Sequence, residues 1–563
     1  MRHTRSFILA ISIAAIAPAP LLAAAESGKP DTAVSAAKPV DLGQHTFKVT
    51  TKSPAAQRAF DRGLTLAYAF SHLAAEDEFR RATEADPDCA MAWWGIALVN
   101  GPHINFPAVP EERAKTAISA ITKAQTLAVT ATKRERALID ALARRYRAPQ
   151  PENRAELDQA YAEAMRENAR AFPKDADVIT LTAEALMNLH PWDLWHNDGR
   201  PQPWTAEIVE TLERAMKLNP MHPGALHLYI HAVEASPNPE KALAAADRLG
   251  PLVPGASHLV HMPSHIYGRV GRWSQAAKSN TEAMKADKAY RAAYPRPGFY
   301  AMYMAHNEHF LAFTSMMRGR STEALALARD LVATMPEDFL TDYAPVADGF
   351  MIFPSKVLMR FGRWEEVLKE PAPRAGMPLA RALWHFTRAV ALTALDRTEP
   401  ATLEREMFLK AAAEMPKDAA FGNNASSDLI AIATKVLDGE IAARAGRLED
   451  SITLLAEGAK LQDALRYDEP PDWIQPVRHT LGEVLMRAKR YVDAEKVYRE
   501  DLAQYPENGW SLYGLGRALR EQGKNHQAKL VEARFAKAWA DADIQIDSTC
   551  HCLPGKELTM SSR

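Results

Sequence analysis

"NGWSLYGLGRALREQGKNHQAKLVEARFAKAW" (508–539) decides the fold. It reads as two helical segments, each with apolar residues at three- and four-residue spacing, broken by the polar "EQGKN". The stretch just before it, "MRAKRYVDAEKVYREDLAQYP" (486–506), has the same form, and 34 residues separate Gly482 from Gly516. Working outward, the pattern returns in "MRFGRWEEVL" (359–368), "MRGRSTEALALARDLVATMP" (317–336), "GRVGRWSQAAKSNTEAM" (268–284) and "RGLTLAYAFSHLAAEDEFRRATEADP" (62–87). A turn residue is followed by an aromatic or small residue, then by Ala, an apolar residue and often Pro. Strand-like alternation is almost absent.

This pattern resembles the tetratricopeptide repeat, a helix–turn–helix unit of 34 residues. The resemblance covers residues 51–543, with inserts. It implies an all-α, right-handed superhelical solenoid, in which each unit buries its apolar face against the next. Gly63, Gly439, Gly482 and Gly516 are expected where the two helices of a repeat cross closely. The chain is also similar to exported bacterial proteins of this kind that carry a histidine-rich centre.

The flanks read differently. Arg2 and Arg5 precede the apolar "FILAISIAAIA" (7–17), Pro18, Pro20 and a small-residue site ending at Ala25. That is a signal peptide over 1–25, implying a periplasmic or secreted protein. Residues 26–50 are expected to be a flexible lead-in, and 544–563 a non-periodic tail containing Cys550, His551 and Cys552. With Cys89 these make three cysteines, too few for a disulfide scaffold. The tail pair suggests thiolate ligands or a redox couple, or an inert tail. Lys+Arg number 68 against Asp+Glu 70, a balance from which no nucleic-acid partner and no polybasic membrane patch are expected. No run of apolar residues after the leader is long enough to span a membrane.

The unusual feature is "SHLVHMPSH" (257–265). In the tetratricopeptide family the first helix of each repeat lines the concave groove. Counting back from the turn glycine Gly271 puts His258, His261 and His265 on that lining, and counting back from Gly319 adds His306 and His309. His227 and His231 precede His261 and His265 by 34 residues, whereas His306 and His309 follow His258 and His261 by 48. On one helix, His258, His261 and His265 span an arc of about 60°. Glu234 shares a face with His227 and His231.

Clustered imidazoles repel one another when protonated, so a metal or a shared hydrogen-bond network is the natural compensation. Imidazoles with one carboxylate suit Zn, Cu, Fe or Ni better than Ca or Mg. His227, His231, Glu234, His258, His261, His265, His306 and His309 are therefore candidate metal ligands. Arg269, Lys356 and Arg360 are candidates for an anionic ligand or a peptide carboxylate. Three readings stand. One is a binding groove for a peptide, protein, small anion or metal-linked small molecule, another a metal-dependent hydrolase or oxidoreductase, and the last a scaffold in which the histidines only pack. No HExxH, P-loop, GxSxG or GxGxxG in a suitable context points elsewhere. "HPWDLWHNDGRPQPW" (190–204) interrupts the array as a lid or ligand loop, or as a cap on a helix pair, and "GPHINFP" (101–107) is a shorter interruption.

Overall fold

The computed structural model describes residues 40–151 and 153–550. It is an all-α solenoid of paired antiparallel helices, from Pro54–Tyr68 with His72–Ala85 to Gly509–Glu521 with Asn525–Ala538. The only strands among the described residues are the two-residue pair Ala420–Phe421 and Asn424–Ala425. No described helix is long and apolar enough to cross a membrane. The leader (1–25), residues 26–39 and the segment 551–563 lie outside the described residues.

Local chemistry sets the helix ends. Ser53 caps the first helix by accepting from the Ala56 N–H, with Pro54 pre-set at its first position. Thr132 and Glu135 form a capping box, and Asn508 caps Gly509–Glu521 through the Ser511 N–H. The turns inside the repeats reuse one device. The N–H of Arg272, Arg320, Arg363, Arg397, Arg447, Arg490 and Lys524 each reaches back five residues, to the carbonyls of Tyr267, Ser315, Leu358, Leu392, Ala442, Leu485 and Leu519. The residue before each donor is left-handed, for instance Gly271 (φ 76°), Gly319 (φ 70°) and Gly523 (φ 70°), where glycine is cheapest.

Small residues let the helices close. A Cβ at Gly482 would sit 2.4 Å from the Tyr498 ring, and one at Gly63 or Gly439 would lie 2.8 Å from Phe79 or Leu455. Gly516 is different: its nearest neighbour would be the Glu532 side chain at 3.4 Å, and the tight partner of Tyr498 on that helix is Gly514 at 2.2 Å.

The core divides into two large clusters that meet along helix Ala301–Met317. Tyr303, Met304 and Phe310 of this helix belong to one cluster, and Ala305, Ala312 and Phe313 to the other. The superhelix also closes on itself. Trp510 donates to the Met316 carbonyl (2.8 Å), Trp273 to that of Pro506 (2.8 Å), and Arg318 pairs with Asp541 (2.9 Å).

Two sequence expectations for the flanks change. Residues 40–50, read as part of a flexible lead-in, are docked. Phe47 is buried under the Arg134 guanidinium at 3.9 Å, and the Thr50 hydroxyl donates to Glu135 at 2.6 Å. The described start of the tail folds back on the last repeats, where the Thr549 hydroxyl bonds to the His479 carbonyl (2.8 Å) and to Tyr498 (2.8 Å). Cys550 is buried and disulfide-bonded, so it is not a free thiolate, whereas Cys89 is free and buried.

Candidate metal centre

Four helical segments bring the histidines together. Pro223–Val233 carries His227 and His231, with Glu234 at its C-cap. Ser257–His261 and Pro263–Arg269 carry His258, His261 and His265. Pro263, which lacks an N–H, starts the second of these at its first position and splits what would be one helix between His261 and His265. Ala301–Met317, on the seam between the two cores, carries His306.

The imidazoles form two triads, His261–His265–His306 and His227–His231–His258, each offering ligand atoms within 4.8 Å of one another. In the first, Nε2 of His261 lies 2.7 Å from Nε2 of His265 and 3.0 Å from Nε2 of His306, and His265 and His306 are 3.5 Å apart. Hydrogen bonds on the far side of the rings fix the tautomers. The Asn280 amide nitrogen donates to the Ala276 carbonyl, so its Oδ1 faces Nδ1 of His261 at 2.6 Å and must accept from it. Nδ1 of His265 donates to Glu234 Oε2 and Nδ1 of His231 to Glu234 Oε1 (2.7 Å). Nδ1 of His227 donates to the Tyr68 carbonyl at 2.7 Å. In the neutral rings of His227, His231, His261 and His265 the Nε2 lone pairs are therefore bare, and those of His261 and His265 point at each other.

Lone pairs in contact repel. A proton relieves one edge of the first triad, while a metal ion satisfies all three lone pairs at once. With metal–nitrogen bonds of about 2.0–2.1 Å, the tetrahedral nitrogen–nitrogen edge is about 3.3 Å; the spacings of 3.0 and 3.5 Å bracket it, and the 2.7 Å pair would have to open to reach it. A ligand imidazole whose other nitrogen donates to a carboxylate or carbonyl is the usual outer shell of a metal site. In the second triad Nε2 of His227 and His258 are 3.1 Å apart, and the buried Nε2 of His231 and Nδ1 of His258 have no partner. Leaving such atoms unmatched costs about 1–3 kcal/mol each.

The surroundings favour the neutral ring at every histidine of the two triads except His265. Burial, then neighbouring imidazoles, hold His227, His258, His261 and His306 well below the ordinary histidine range. Burial also acts downward on His265, but Glu234 more than offsets it and the net shift is upward. Burial pushes the Glu234 carboxyl up, and His265 and His231 reverse this, bringing it to about 2. Phe70, a left-handed residue (φ 55°) in the first repeat turn, puts its ring among these histidines, 4.6 Å from His227 and 5.6 Å from His258.

Other candidates fall outside the triads. His309 packs edge-on against Phe353 (4.4 Å) beside Lys356, and burial holds it down at about 3. Arg269 is committed to backbone, donating to the carbonyls of Glu234 (2.9 Å) and Ser236 (3.2 Å). Arg360 does not face an open groove: it is buried over the Trp510 ring (3.5 Å) and donates to the Thr549 carbonyl of the returning tail. Lys356 is buried near Asp472, and desolvation lowers it to about 8. His45, Asp177 and His222 also cluster, but the lone pair of His222 and Oδ1 of Asp177 are spoken for. His222 Nδ1 accepts the Ala225 N–H, leaving Nε2–H to donate to Asp177 Oδ1, which His45 and Tyr68 also contact.

Several neighbours were not foreseen. His103 stacks on Phe70 (4.8 Å), with His72 at 4.6 Å from it. Closure of the superhelix brings Asp468 and Glu469 close enough to act electrostatically on Glu234 and His265, and burial raises these carboxyls to about 6 and 7. A cavity of about 230 Å³ opens beside the second triad, lined by His231, Glu234, Ile104, Trp192, Trp195 and Tyr467. The 190–204 insert roofs it, pinned by Asn197 to the carbonyls of Asp463 (3.1 Å) and Leu465 (3.0 Å). Trp192 is left-handed (φ 57°), with its indole N–H held by Asn105 at 3.1 Å. A larger hollow, about 370 Å³, lies in the last repeats and is lined by none of these histidines.

No family model and no curated protein matches the chain. Among solved structures it is similar to the human IFIT1 dimer with m7Gppp-AAAA, at 12% identity and TM-score 0.34, covering 88% of this chain and 92% of that one. It is likewise similar to the human IFIT1 dimer with PPP-AAAA, at 12% identity and TM-score 0.32, covering 85% and 90%. The expectation of no nucleic-acid partner stands against these structures, in which human IFIT1 is seen with m7Gppp-AAAA and PPP-AAAA. An even charge balance over a whole chain does not decide what one groove holds. The chain itself is an all-α, tetratricopeptide-like helical-repeat solenoid.

Proposed function

We propose that the chain is an exported transition-metal-binding protein whose central repeats hold an ion on His261, His265 and His306. The observation that carries this is the convergence of three Nε2 atoms within 3.5 Å, with Nδ1 of His261 and His265 donating to Asn280 and Glu234. All-imidazole ligation favours Cu or Zn, and the intrinsic affinity order places Cu(II) highest. Asn280 and Glu234 hold the lone pairs inward. A second reading, a metal-dependent hydrolase or oxidoreductase, is favoured by the cavity that reaches His231 and Glu234. The test is metal content of protein secreted without a histidine tag, alongside His261→Ala/His265→Ala. Near-stoichiometric Cu or Zn that is lost in the folded double variant supports the proposal. A metal-free wild type, grown with metals and purified without chelator, rejects it. Intact mass of the secreted protein should begin near Glu26, and a stable full-length membrane form counts against export.

A further inference from the structure

We propose that His227, His231 and His258 hold a second transition-metal ion, so that the site is a two-metal centre tied together by Glu234. This goes beyond the single ion assigned to His261, His265 and His306 and rests on different atoms.

Four observations carry it. The three rings are at most 6% exposed, so no bulk water solvates their nitrogens. Nδ1 of His227 and of His231 is spent on the Tyr68 carbonyl and on Glu234, which leaves both Nε2 atoms without a proton in the neutral ring. Nε2 of His227 nevertheless faces Nε2 of His258 at 3.1 Å, while Nε2 of His231 has no partner. A single proton on His258 answers the first contact but leaves His231 Nε2 buried and unmatched, while His258 Nδ1 is unmatched in either case. A metal ion accepted by all three rings removes the Nε2 deficits together.

The second observation is the carboxylate between the triads. Glu234 uses one oxygen for His231 and the other for His265, and both contacts are made by Nδ1. One side chain therefore orients one ligand of each triad, and its charge lies between them. The third is proximity: the ring centroids of His231 and His265 are 5.7 Å apart and those of His258 and His261 5.9 Å. The fourth is the cavity. His231 lines it, while none of His261, His265 and His306 does. Three protein ligands leave one tetrahedral position open, as in catalytic rather than structural metal sites. The second ion is thus the one a small molecule under Trp192 and Trp195 meets first. Asp468 and Glu469, which act electrostatically on Glu234 and His265, add two further carboxyl groups beside the pair.

The experiment loads chelator-stripped, untagged protein with Cu(II) alone and counts bound copper after gel filtration, with electron paramagnetic resonance on the same samples. Wild type should retain two copper ions per chain and show a half-field transition from a coupled pair. His227→Asn/His231→Asn should retain one, with an uncoupled signal integrating to one spin. His261→Asn/His265→Asn should do the same at the other triad. One copper per chain in wild type, with an uncoupled signal and no loss in His227→Asn/His231→Asn, overturns the second ion and leaves the first standing. No copper in wild type overturns both. If the variants fail to fold, the wild-type count and half-field transition decide the matter alone.

Discussion

Glu234→Gln should weaken metal binding without changing the size of the site. The carboxylate accepts Nδ1–H of His231 and of His265 through its two oxygens. A glutamine amide has one oxygen and one NH2, so it accepts from one of these rings only. The other ring then faces a donor, and its stable tautomer moves the proton from Nδ1 to Nε2, the nitrogen that faces the metal. One ligand is taken out of action unless the amide turns away. A charge-assisted hydrogen bond of this kind contributes about 1.5–3 kcal/mol. Loss of an outer-shell partner lowers metal affinity about 10–100-fold, or about 1.4–2.8 kcal/mol. The assay is competition for Zn(II) or Cu(II) against a chromophoric chelator at fixed pH, with circular dichroism showing that the variant is folded. Affinity within twofold of wild type would refute the idea that Glu234 orients the ligands.

Two further predictions concern the scaffold. Glu440 is buried, its Oε2 has no partner, and burial alone raises its carboxyl from 4.5 to about 8, so the native state holds a proton that the unfolded chain releases. Stability should therefore fall as pH rises from about 4.5 to about 8, by about 4 kcal/mol from this group. Glu440→Gln should abolish that fall, and parallel urea-stability profiles for the two proteins between pH 5 and 9 would contradict it. Gly482→Ala places a methyl 2.4 Å from the Tyr498 ring and should cost about 1–3 kcal/mol, whereas Gly516→Ala meets only the Glu532 side chain at 3.4 Å. The latter should be neutral or stabilise by up to about 1 kcal/mol. Thermal melts that rank the two the other way would contradict the crossing geometry.

The repeats were legible because their determinants are local. A left-handed turn residue, a basic residue after it and a small residue under an aromatic all lie within one unit. The histidine register was legible for the same reason, since groove positions follow from the distance to the turn. His306 fell with His261 and His265, but His309, three residues further, rotates onto Phe353. The orienting groups were hidden. Asn280 sits on the second helix of its repeat, where polar residues usually face solvent, and Phe70 reaches the histidines from the first turn of the array. Asp468, Glu469 and Tyr467 arrive through closure of the superhelix, a contact across some two hundred residues that no local periodicity encodes. The same closure removes Arg360 from the groove, because the returning tail occupies its front.

The most direct test is diffraction from crystals of untagged protein collected on both sides of the Cu and Zn absorption edges. The account predicts an anomalous peak about 2.0–2.1 Å from Nε2 of His261, His265 and His306, present above one edge and absent below it. Crystals grown from metal-supplemented, chelator-free protein that show no anomalous peak between these three nitrogens, with a water or a direct hydrogen bond in its place, would contradict it.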